Sequence, residues 1–280
     1  MSIEIVIQKA LDSKKGALIG RNGTIELEQM IEINPFRLHL LQNNAGIFPI
    51  AIHNQFYKWQ QQSIDATKSA DVLVTGWYKP LKEVEKAALE KWQVKAIPIS
   101  LRAIEPYYVE SSKQWTKLLE GHSVAVITSF SGSAKKQIEK GADAIWGSRG
   151  VLPKNVEWHW IQTGYPKCVT KSNVFLEWPD GINDWSQAAE YIVKEVMKSG
   201  ARFALIGCGG LGMPIAKMLK DRGVISIVMG GEIQILFGIK GKRWANHSVI
   251  SKFWNDAWVW PLKEETPDMA SSIEGGCYWL

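Results

Sequence analysis

Two apolar runs in the last third of the chain, Phe203 to Ile206 and Val224 to Met229, each end in glycines. The first leads into Gly207, Gly209, Gly210 and Gly212 and then an amphipathic stretch from Met213 to Lys220. The second ends at Gly230-Gly231. This pattern predicts a buried parallel strand, a tight turn, a packing helix and a second strand, closed within about 30 residues. The two glycine turns then lie side by side at the carboxyl edge of one sheet, where open α/β sheets bind ligands.

The same alternation runs through most of the chain. Residues 3 to 15 read as a helix stopped by Gly16, and Ala17 to Ile19 as a short strand. Strands are predicted at Val72–Thr75, Lys95–Leu101, Val124–Ile127 and 156–164. Helices are predicted at Leu81–Trp92, Gln114–Leu119, Ala134–Lys140 and Asp184–Met197. From Pro35 to Ala70 no strand pattern occurs, only helical stretches broken at Gly46 and Pro49, which predicts a helical insertion over about 30–70. Strands separated by helices imply an α/β, Rossmann-like, doubly wound and mainly parallel sheet with helices on both faces. There is no Pro/Gly/Ser linker and no internal repeat, so a single domain over 1–280 is expected. The tail 253–280 carries Trp254, Trp258, Trp260 and Trp279 and must dock on the domain to cover them. Periodicity leaves the order of strands open.

Composition narrows the partner. Of 280 residues, 46% are hydrophobic and 22% charged, ordinary values for a soluble globular chain. Lys plus Arg exceed Asp plus Glu by 33 to 28, a surplus spread along the chain that favours an anionic small molecule over nucleic acid. The N-terminus lacks a leader pattern and no run of about 18 apolar residues exists, so no transmembrane segment and a cytoplasmic location are expected. Cys168, Cys208 and Cys277 are odd in number and widely spaced, which fits reduced thiols.

Candidate chemistry collects at strand ends. Gly20-Arg21-Asn22-Gly23-Thr24-Ile25-Glu26 follows the first strand, with Thr24 as a helix cap. Arg102 and Glu105, followed by Pro106, Tyr107 and Tyr108, leave the third. Ser129 and Ser131 follow the fourth, where hydroxyls and backbone amides hold phosphate, or Ser131 or Ser133 simply caps the next helix. Lys240, Lys242 and Arg243 add positive charge after the second glycine turn. The plainer reading is that these glycines end strands, Arg21 and Glu26 form a surface pair, and the basic residues sit at a helix end. His39, His53 and Trp59 could touch a substrate, though residues of these types more often pack or face water.

Gly207-x-Gly209-x-x-Gly212 satisfies the dinucleotide fingerprint, so an NAD(P)-dependent oxidoreductase is the alternative enzyme class. Its second requirement, an acid about 20 residues on at the end of the next strand, is met by Val228, Met229 and Gly230 instead. The same gap weakens an S-adenosylmethionine methyltransferase. A non-catalytic nucleotide-binding scaffold is a third class.

Taken together, the Gly20 to Glu26 turn resembles the Arg-x-Gly-Asp-Gly-Glu turn of GT-D type glycosyltransferases. Leu205 to Gly209, Gly230 to Gln234, Lys240 to Trp244 and Glu274 to Trp279 resemble related proteins of bacterial surface-polysaccharide loci and large DNA viruses. The resemblance implies a Rossmann-like enzyme moving a sugar from a nucleotide-sugar donor, a UDP-sugar first, to a glycan or glycoconjugate acceptor. Likeness to chlorovirus glycan-building members makes UDP-xylose a candidate donor. The family turn supplies an Asp-x-Glu for a divalent metal, Mn or Mg. Here Thr24 stands for the first acid and Glu26 matches the second, which leaves the metal open. Arg21 belongs to the catalytic cluster. Glu26 is the first candidate base for the acceptor hydroxyl and Glu105 the second. The glycines Gly20, Gly23, Gly207, Gly209, Gly210, Gly212, Gly230 and Gly231, with Asn22, Arg102, Ser129, Ser131, Lys240, Lys242 and Arg243, are the candidate donor contacts.

Overall fold

A computed structural model describes residues 2–49, 53–171 and 174–280, without the side chains of His53 and Val174. Seven strands form one all-parallel sheet: β1 Ala17–Arg21, β2 Val72–Val74, β3 Ile97–Ile99, β4 Ser123–Thr128, β5 Glu157–Gln162, β6 Phe203–Gly207 and β7 Ile225–Val228. Their order is β3-β2-β1-β7-β6-β4-β5. Successive residues of a strand point to opposite faces, and both faces are dry. Ile19, Val124, Val126, Phe203 and Leu205 fill one apolar core, while Leu18, Ala125, Ile127, Ala204 and Ile206 fill the other. The α/β doubly wound reading therefore holds.

The second face takes the helices Thr24–Ile31, His53–Ser69, Trp185–Ser199 and Gly212–Lys220. Small residues Ala125 and Ala204 let them approach closely. The first face takes the helix Ile3–Ser13, the helix Ser131–Glu139 and the tail. As expected, 35–70 holds no strand among its described residues; the helices Leu38–Asn43 and His53–Ser69 occupy it. The tryptophan tail is docked: Trp258 and Trp279 are buried, donating their indole N–H to Ile145 O at 3.1 Å and Glu265 O at 2.9 Å. Trp254 and Trp260 are half-buried.

Local boundaries differ in instructive ways. The first helix ends at Lys14, which is left-handed with φ 55°, because its N–H reaches back to the Ala10 and Leu11 carbonyls. Gly16 is required instead because a Cβ there would strike the Lys220 carbonyl. The cap of the helix Thr24–Ile31 is Gly23, and Thr24 is its first residue. The third strand is cut to Ile97–Ile99 because Leu101–Ile104 coils into a helical turn. Among the described residues, no helix is long and apolar enough to cross a membrane.

Candidate functional site

The strand order creates a reversal between β6 and β4. From β1 the chain winds outward to β2 and β3, and β6 returns toward β7 while its neighbour β4 leads outward to β5, so adjacent connections part at the carboxyl edge. A cleft of about 440 Å³ opens there. Arg21, Gly23 and Glu26 enter from β1, Ser129 from β4, Gly207 and Gly209 from β6, Gly230 and Gly231 from β7, and Arg243 from the segment beyond. These residues, separated by up to most of the chain, share one cavity.

Arg21 is held at three points. Its Nε donates to Met229 O at 3.1 Å, its Nη2 meets Glu232 Oε2 at 2.6 Å, and its guanidinium lies 4.9 Å from the Trp77 ring centre. Gly230, with φ 66°, must be glycine because a Cβ would strike the Arg21 guanidinium. Glu26, the third residue of its helix, folds its carboxylate over Gly23. Burial raises its pKa above the usual carboxylate value, and Glu274 adds to this, against its own backbone N–H and Arg21. Burial, helped by Glu26, pushes the neighbouring Cys208 thiol up to about 12, so it stays protonated.

Arg243 faces the cleft from the other side, with Nη1 3.4 Å from Glu274 Oε2 and its guanidinium 4.9 Å from the Tyr278 ring centre. Burial opposes its charge, but Tyr278, Glu274, Cys277 and Glu232 together outweigh that and hold its pKa above the ordinary value. Glu274 has φ 46°, followed by Gly275 at 68° and Gly276 at 73°. Three left-handed residues in a row make this a sharply turned segment at the cleft wall.

The other expected contacts lie elsewhere. Gly20, within β1, lets Met213 and Val228 pack against the strand, and at Gly212 an added Cβ would crowd Val228. Asn22 is buried, its amide donating to Thr67 Oγ1 at 3.2 Å. Gly210 gives its N–H to Ala45 O at 2.8 Å and its carbonyl to the Trp59 indole at 2.9 Å, so it seats the insertion. Trp59 is thereby a core residue; His39 is exposed, and the His53 side chain lies outside the described residues. Ser131 bonds Gln162 Oε1 at 2.5 Å, away from the cleft. The basic run divides: Lys240 lies 5.5 Å from the Trp254 ring centre, Lys242 is exposed, and Arg243 alone of the three reaches the cavity. Arg102 and Glu105 pair with each other at 2.8 Å behind the wall. Burial, then Glu232, raises Glu105 to about 7, against Arg102 and Tyr107.

Neither Ser131 nor Ser133 caps the helix after β4. Its N-terminus is filled by Glu265 of the tail, which accepts from Ser133 N at 2.9 Å and from the Ser133 hydroxyl. A phosphate at that helix end would have to displace a buried carboxylate.

The unforeseen cleft residues include Glu232, Glu274, Tyr278, Trp77, Arg37 and Asn43 to Gly46. Glu232 was findable, since an acid directly after a strand-end glycine pair starts a helix at that edge. Three guanidinium groups (Arg21, Arg37, Arg243) and three carboxyls (Glu26, Glu232, Glu274) therefore line the cleft, Arg37 being paired with Glu28 at 2.9 Å. For a divalent metal the turn offers Glu26 without a second acid at Thr24, and its carboxylate is folded inward. No group of three His, Cys, Asp or Glu side chains among the described residues converges to hold an ion. The turn itself thus supplies one carboxylate where the resembled Asp-x-Glu supplies two. The chain matches no family model, no curated protein and no solved structure.

Proposed function

We propose that the protein is a glycosyltransferase that moves a sugar from a nucleoside diphosphate sugar, a UDP-sugar first, to a hydroxyl of a glycan acceptor. The observation that carries this reading is the meeting of Arg21, Gly209 and Arg243 in one cleft at a topological switch of the sheet. In the reaction the bond from the anomeric carbon to the diphosphate breaks as a bond to the acceptor oxygen forms. Negative charge grows on the departing diphosphate, and Arg243 is the cation placed to receive it once it leaves Glu274. Glu26 takes the acceptor proton; its burial favours uptake of that proton.

The oxidoreductase alternative is less well supported. A dinucleotide site needs an acid at the end of the next strand, and there the chain has Val228, Met229 and Gly230. A thermal-shift panel of nucleotide sugars, NAD and S-adenosylmethionine, with and without manganese, tests the reading. Stabilisation by a nucleoside diphosphate sugar, followed by its slow hydrolysis, is the expected result. Stabilisation by NAD alone would replace this reading with the alternative, and binding without hydrolysis would favour a scaffold.

A further inference from the structure

Arg21 is the cation nearest the glycine turns, yet its surroundings are not those of a phosphate site. Its Nη2 is committed to Glu232 at 2.6 Å and its Nε to a carbonyl, and both side chains of the pair are nearly covered, at 11% and 16% exposure. Glu26 acts on the same guanidinium, and Glu105 stands close enough behind Glu232 to feel its charge. The Arg21 guanidinium is thus already paired within the protein, while Glu105 has its own cation in Arg102. A guanidinium and a carboxylate locked side by side, with the Trp77 ring 4.9 Å from the guanidinium, offer instead adjacent donors and acceptors. That is the match for vicinal hydroxyls, each of which both donates and accepts. Arg243 differs: its contact with Glu274 is longer, at 3.4 Å, and the carboxylate stands on a turned tail segment.

We infer that the cleft is divided, with the Arg21–Glu232 pair binding the hydroxyls of the transferred sugar and Arg243 binding the diphosphate. The assignment rests on the nucleotide-sugar reading and deepens it: Arg21 selects the sugar and does not hold the leaving group. It also predicts that the donor sugar carries neighbouring free hydroxyls on the side facing β7.

The test is calorimetric titration of wild type, Arg21→Met and Glu232→Gln with UDP and with UDP-glucose, UDP-galactose and UDP-xylose. In the wild type one of these sugars should bind more tightly than UDP. In both variants that advantage should fall about tenfold, the loss of hydrogen bonds to a charged pair, while affinity for UDP stays within about threefold. Should Arg21→Met fail to fold, Glu232→Gln carries the same expectation, since it keeps the shape and removes the charge. Equal weakening of UDP and UDP-sugar in either variant would overturn the division and return Arg21 to the phosphates. If wild type bound UDP but none of the sugars more tightly, the sugar subsite would likewise be lost. If it bound no nucleotide at all, the transferase reading and this assignment would fall together, a result distinct from the other two.

Discussion

Glu265 reaches across 132 residues of sequence to Ser133, accepting its backbone N–H at 2.9 Å and also its hydroxyl. The tail thus supplies the anion that a helix N-terminus attracts, and it does so inside the protein. Leu262 N–H shares the same carboxylate at 3.3 Å. Glu265→Ala removes the acceptor from several buried donors at once. A loss of roughly 2–4 kcal/mol is expected in urea denaturation, with earlier proteolysis of the tail; an unchanged midpoint would show that the contact contributes nothing.

Gly209 combines φ 57° with close approach to the Ala45 carbonyl, so a side chain meets strain and collision together. Gly209→Ala is expected to cost roughly 1–3 kcal/mol and to lift the 38–49 segment off the turn. Gly181 has φ 89° with nothing within 4 Å, so Gly181→Ala isolates the strain. Melting temperatures should fall further for the first variant than for the second.

Glu105 favours its protonated form in the fold, with a pKa raised from 4.5 to about 7. Wild-type stability should therefore be greatest below about pH 4.5 as far as this group is concerned, and should decline as pH climbs through 7. The whole effect is on the order of 3 kcal/mol at most. Glu105→Gln should flatten that decline when denaturation at pH 5 and pH 8.5 is compared; an equal slope in both proteins would assign the decline to other groups.

Glu26→Gln should lower turnover by roughly 100-fold or more and leave donor affinity within a few-fold, since only proton uptake is removed. Because burial raises the Glu26 pKa above 4.5, wild-type rates should fall on acidification with a midpoint above that value. Rates in the Gln variant should lose this limb. Full activity in the variant would take Glu26 out of the chemistry.

Arg243→Ala should weaken nucleoside diphosphate binding about tenfold, the worth of one charge-assisted contact. Lys242→Ala, one residue away but exposed and outside the cleft, should leave it unchanged. Titration of both variants with UDP distinguishes a cleft cation from general surface charge, which would weaken them alike.

Much of this architecture was legible in the chain itself. The apolar runs at 203–206 and 224–229 became β6 and β7, the strand-free region 35–70 became helices, and the tryptophan tail docked. Periodicity is a local property: a residue faces the core because of its neighbours two, three and four places away, and that information sits in a short window. The same window misread Gly16 and Gly210, whose glycines answer to Lys220 and Ala45 from distant segments.

Tertiary structure alone decided which side chains meet at the carboxyl edge. Strand order placed β7 between β1 and β6, and so paired Arg21 with Glu232; the fold also put Glu265 on the helix after β4. Such pairings depend on contacts across more than a hundred residues, where no pattern of nearby residues carries the information. The sequence by itself determined the layers and the glycine turns; the geometry of the cleft came from how those layers close.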